Sequence, residues 1–287
     1  MNETITPAPE TPEAITVPKI GRRYYFLTLI TSLIGASLQM ILLLSEYDNG
    51  IGMYRRSSML ANVFTGFVLL VTIFIFTLPF ICRRDLAKAR SQTGLVLPSA
   101  DVSVTFASTL CGFILVAIMI LSLWKIPPGP LATAGDYFWL AVILLLLPTA
   151  LFFFCLALPI KHRPSTETAL AFFPIFWCAA YLMSVYFNNT TALNSPVRIL
   201  TEFATIASML FFLMELRVRV GKPNPIFLIT FINLSVFYSS VCALPLISAA
   251  FINQWSLTQD ILYSAVQLCF LTYFIARANT LVRSQSK

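Results

Sequence analysis

The sequence predicts an all-α polytopic transmembrane helix bundle of about eight spans, with both termini cytoplasmic. Three observations carry this reading. Apolar residues make up 58% of the chain and charged residues 11%, with a mean hydropathy of +0.82; soluble domains have about 45–50% and about 25%. The apolar residues come in continuous runs of about 20 or more, the length a helix needs to cross the hydrocarbon core. Barrel strands would instead alternate over segments of about ten residues. Finally, the loops between the runs alternate between rich and poor in Lys and Arg.

Residues 1–20 are rich in Pro, Thr and Glu, cannot bury a core, and read as a disordered cytoplasmic tail. The acidic start and the length of the first apolar run argue against a signal peptide. Residues 21–287 read as one transmembrane domain, with spans at 24–44, 60–82, 104–124, 138–160, 168–188, 197–216, 226–251 and 258–277. Seven is the nearest competing count and would require a re-entrant pair.

Charge favours eight. With the N-terminus in the cytoplasm, only Arg55, Arg56, Lys125 and Arg198 of the 19 basic residues fall on the outer side, as the positive-inside rule requires. Trp124, Trp139 and Trp255 fall at outer boundaries, where amphipathic rings suit the headgroup level. The net charge of +7 sits in short inner loops beside anionic lipid. The expected partner is therefore the bilayer, with no nucleic acid.

No cofactor or metal is expected. The six cysteines lie in apolar segments without CxxC spacing, and the one histidine, His162, stands between Lys161 and Arg163. There is no GxSxG, P-loop, GxGxxG or paired intramembrane carboxylate, so the reading leans away from an enzyme. Asn188-Asn189-Thr190-Thr191 holds overlapping glycosylation sequons on the outer side. Pro79, Pro148, Pro159, Pro174 and Pro245 fall within spans, where each removes a backbone hydrogen bond.

Polar side chains in lipid need a reason. Thr28, Ser32, Gly35 and Gln39 share one face of the first span, and Asp260, Ser264, Gln267 and Leu271 share one face of the last. Such stripes read first as helix–helix contacts. Glu202 lies four residues after Arg198, and Glu215 four before Arg219; both read as ion pairs near the interfaces. Gln39, Asn62, Glu202, Asp260 and Gln267 all map to the outer half of the membrane. If their helices meet, they line a polar cavity open to the outside.

The stretch FPIFWCAAYLMSVYFNNTTALNSPVRILTEFATIASMLFFLMELRVRVGKPNP, residues 173–225, combines an aromatic run, an Asn/Pro turn before Pro-Val, a Glu in the outer part of a helix and a basic Gly-Lys-Pro exit. It resembles a group of multi-pass membrane proteins from Firmicutes to which no activity is attached. The resemblance implies a bacterial plasma-membrane location and no particular chemistry. Two functional readings follow: binding or transport of a small solute through the outer polar face, or a membrane-embedded accessory, scaffold or sensor subunit whose stripes face partners.

Overall fold

A computed structural model of the chain describes residues 19–48, 53–54, 58–81, 101–124, 134–158, 164–187, 195–222, 224–252 and 259–283. The tail before residue 19, Pro159, His162, the sequons at 188–191 and Trp255 lie outside them. The elements in chain order are α1 (Lys19–Ser45), β1 (Tyr47–Asp48), β2 (Met53–Tyr54), α2 (Met59–Ile81), α3 (Val102–Trp124), α4 (Ala134–Ala157), α5 (Pro164–Leu170), α6 (Phe172–Phe187), α7 (Pro196–Arg219), α8 (Pro225–Ile252) and α9 (Gln259–Arg283). Among the described residues, eight helices are long and apolar enough to cross a bilayer. The chain is a multi-pass, all-α membrane bundle.

Local chemistry sets the helix ends. The Ala61 N–H donates to Ser58 Oγ at the start of α2, and the Ser103 N–H to Asp101 Oδ1 at the start of α3. These are side-chain N-caps that satisfy otherwise orphaned donors. Pro196 opens α7 and Pro225 opens α8, where a missing N–H costs nothing. At the end of α7 the chain turns through Gly221, at φ +76°. The Gly221 N–H donates to Val218 O and the Lys222 N–H to Arg217 O, closing a Schellman motif.

The fifth span is not one continuous helix. It divides at Ala171 into the short α5 and α6. Pro174 has no N–H to offer the Leu170 carbonyl, so the helical ladder fails at that step. The Ala171 N–H still donates to Glu167 O at 3.1 Å, which keeps the two pieces in one span.

α8 is the centre of the bundle: 83% of its most apolar window is buried, against 22% for the peripheral α2. α1, α7 and α9 pack directly on α8. α9 also packs on α3, α3 on α4, α4 on α6 and α6 on α7, which closes a ring of six helices. Aromatic side chains fill that ring. Phe153 meets Tyr273 at 5.1 Å between centroids, Phe212 meets Phe270 at 5.1 Å, and Phe211 meets Phe274 at 4.8 Å. In lipid, apolar surface gains nothing by leaving its solvent, so close packing and interhelical hydrogen bonds must hold helices together.

The first-span stripe is such a contact. At Gly35 an added Cβ would lie 2.8 Å from Val241 and 3.6 Å from Phe237, both on α8. Thr28 and Ser32 donate to the carbonyls one turn back, Tyr24 O and Thr28 O, so their hydroxyls are satisfied within α1.

The two ends of the bundle differ. The Tyr25 hydroxyl donates to Ile275 O at 3.5 Å, and the Thr280 hydroxyl to Asp101 Oδ2 at 2.7 Å. The beginnings of α1 and α3 therefore share one end with the last part of α9, called here the basic face. The opposite end carries the β1–β2 pair and is called the hairpin face. Trp124, at the end of α3, is 85% exposed there.

Candidate functional site

Two polar clusters lie inside the bundle. The first centres on Gln267 of α9. Its Oε1 accepts from Ser208 Oγ on α7 at 3.1 Å and from Ser239 Oγ on α8 at 3.0 Å. One side chain thus ties together three helices. Toward the hairpin face by one turn, the Tyr263 hydroxyl donates to Thr201 O at 3.0 Å and shares a hydrogen bond with the Thr205 hydroxyl at 2.6 Å. The Tyr263 ring stacks on Tyr181 at 3.9 Å, and Trp177 stacks beyond, 6.1 Å from Tyr263. Two buried donors here have no acceptor: Gln267 Nε2 and Trp177 Nε1. Buried polar atoms are nearly always paired with protein or water, so these two mark places that can donate to a small polar molecule.

The second cluster lies toward the basic face. Glu215 Oε1 accepts from the Tyr273 hydroxyl at 2.5 Å, from Arg277 Nη2 at 3.0 Å and from Arg219 Nη2 at 3.0 Å. Arg219 Nη1 continues to Glu167 Oε2 on α5 at 3.2 Å, and Arg277 Nε donates to the Tyr273 hydroxyl at 2.9 Å. The side chains of Glu215 and Arg277 are each only 2% exposed. Two guanidinium charges thus face two carboxylates in one network, buried at Glu215 and Arg277 and partly exposed at Glu167, that joins α5, α7 and α9. The Arg219 guanidinium also lies 5.5 Å over the Phe152 ring, a cation–π contact.

The sequence reading anticipated the Glu215–Arg219 pair but not its burial, and it counted Arg277 only as an inner-loop charge. A signal was present. Glu215 and Arg219 on α7, and Tyr273 and Arg277 on α9, are both spaced i, i+4, so each pair stands on one face of its helix. Whether the two faces meet is not encoded in either spacing.

The residues assigned from sequence to an outer cavity have different surroundings. Gln39 is buried, and its Oε1 accepts from the Tyr54 hydroxyl of β2 at 2.8 Å. Burial pushes the Tyr54 phenol up to about 12. Asn62 is exposed on α2. Glu202 is half-exposed and pairs with Arg198 Nε at 3.2 Å. Arg198 in turn donates from Nη2 to Val185 O at 2.6 Å, a cation at the last turn of α6, where it suits the helix dipole. Gln267 has its partners on α7 and α8. Asp260 stands in the first turn of α9, and its side chain lies outside the described residues. Among the described side chains no hydrogen bond joins Gln39, Asn62, Glu202 and Gln267 to one another.

No family model, no curated protein and no solved structure matches the chain.

Proposed function

We propose that this multi-pass membrane protein is a non-catalytic accessory or scaffold subunit of the cell membrane, with both termini cytoplasmic and its basic loops against anionic lipid. The observation that supports the reading is the Glu215 network. Its buried ion pair between Glu215 and Arg277 holds α7 against α9. A cycle that parted these helices would leave Arg277 buried without its carboxylate, at a cost of several kcal/mol. That favours a fixed framework over alternating access.

A second reading, binding or transport of a small solute, is favoured by the two unpartnered donors Gln267 Nε2 and Trp177 Nε1. Reconstitution separates the two. Proteoliposomes are tested with a panel of inorganic ions, amino acids and sugars, using wild type and Gln267→Leu. Flux no greater than in protein-free vesicles supports the accessory reading. Saturable flux that Gln267→Leu removes overturns it.

Orientation has its own test. Trp124→Cys on the hairpin face and Val220→Cys on the basic face are both exposed positions, at 85% and 55%. An impermeant maleimide should label the first in intact cells and the second only after permeabilisation. The reverse pattern would place the termini outside.

A further inference from the structure

α2 and α7 both pack on α8 and leave a cleft between them. Val68 and Thr72 of α2 form one wall, Ile199 and Phe203 of α7 the other, and Tyr54 stands at the rim. Tyr238 of α8 forms the floor. Its ring stacks on Phe203 at 5.5 Å, and its hydroxyl shares a hydrogen bond with the Thr72 hydroxyl at 2.8 Å. The floor is thereby joined to both walls. The cavity has a volume of about 540 Å³, and its lining is almost wholly apolar.

From this geometry we infer that the cleft is a binding site for the acyl chains of a diacyl phospholipid in the leaflet on the hairpin face. The length fits. The α2 lining runs from Phe64 to Ile73, about 14 Å at 1.5 Å per residue, and the half-thickness of the hydrocarbon core is about 15 Å. The depth fits as well: the cleft descends from the rim at Tyr54, beside the hairpin, into the bilayer interior.

The depth favours a lipid over a protein occupant. A partner helix crosses the whole hydrocarbon core of about 30 Å, whereas the α2 lining of the cleft ends after about 14 Å, the reach of the acyl chains of one leaflet. The inference does not depend on the accessory reading, since a transporter could hold a lipid here equally well.

The test uses the full chain in nanodiscs of phosphatidylcholine and phosphatidylglycerol containing a phosphatidylcholine with a diazirine on one acyl chain. After illumination, labelled residues are mapped by peptide mass spectrometry. Labelling concentrated on residues 65–73 and 199–203 supports the site. Val68→Trp fills the cleft from α2 and should cut that labelling about tenfold, the equivalent of about 1.4 kcal/mol of lost packing, with an unchanged thermal midpoint. Ile199→Trp fills it from the α7 wall and serves the same purpose if Val68→Trp does not fold. Phe113→Trp, on the lipid face of α3, should change nothing. Labelling spread evenly over all lipid-facing helices overturns the proposal. So does labelling in the filled variants equal to wild type, and so does an intermolecular cross-link through Leu69→Cys that places a second copy in the cleft.

Discussion

Tyr24 and Pro79 form a compensating pair across α1 and α2. The Tyr24 hydroxyl donates to Ile75 O at 2.8 Å in a buried position. Ile75 O is the carbonyl that the residue four places on would normally serve, and that residue is Pro79, which has no N–H. A side chain from a neighbouring helix thus supplies the hydrogen bond that the proline removed, the compensation that makes proline tolerable in a membrane helix.

Tyr24→Phe should therefore destabilise the protein by about 1–3 kcal/mol, the cost of an unsatisfied buried acceptor. Pro79→Ala restores the backbone donor and should suppress most of that loss. A double-mutant cycle on unfolding in mixed micelles measures the coupling. Additive effects of the two substitutions would show that the hydroxyl and the proline are unrelated.

The Glu215 network predicts a non-additive series. Glu215→Leu leaves Arg277 and Arg219 buried without their shared carboxylate, and Arg277→Leu leaves the carboxylate short of a cation. Glu215→Leu should cost about 3–5 kcal/mol, and Arg277→Leu less, because Arg219 still pairs with the carboxylate. The double variant Glu215→Leu/Arg277→Leu should be less destabilised than Glu215→Leu alone, because both buried charges leave together. A double variant as unstable as the sum of the singles would show that the pair contributes no coupling.

Gly112 and Gly66 differ in their tolerance of a side chain. A Cβ on Gly112 would stand 2.7 Å from Phe154 Cε1 on α4, whereas one on Gly66 meets nothing within 4 Å. Gly112→Ala should cost about 1–3 kcal/mol by overpacking, with partial rescue by Phe154→Leu. Gly66→Ala should be neutral to slightly stabilising. Thermal midpoints of the three variants in one detergent check this.

Tyr54 gives a pH dependence with a definite sign. Its phenol is raised from 10.0 to about 12 by burial. Between those values the unfolded chain releases the proton and the folded chain keeps it, so stability is full below pH 10.0 and falls as pH rises toward about 12. Unfolding midpoints measured at pH values on either side of 10.0 should show the loss, and Tyr54→Phe should remove part of it. An identical pH slope in the variant would mean that another group carries the effect.

Some of the interior was legible from residue chemistry. Gln267 stood out because an amide in a span is costly and needs partners. The stripe through Gly35 was legible as a contact face, and its neighbours prove to be Val241 and Phe237 of α8. The partners were not legible. Nothing in the sequence around Gln267 names Ser208 and Ser239, which lie 59 and 28 residues away. The division of the fifth span followed from Pro174, but its position at Ala171 did not.

The sequence by itself determined that the chain is a multi-pass helical membrane protein of about eight apolar spans. Hydropathy over a helix length is a local quantity, and lipid imposes it span by span. It also determined which side chains are expensive at membrane depth. Only the tertiary structure decided what meets what: that α8 is central, that Tyr24 reaches the carbonyl freed by Pro79, that Glu215 faces Arg277, and that a cleft separates α2 from α7. These depend on the rotation of each helix about its axis and on which helices are neighbours. In a medium as apolar as the helices themselves, those choices are made by packing and interhelical hydrogen bonds, summed over residues far apart in the chain.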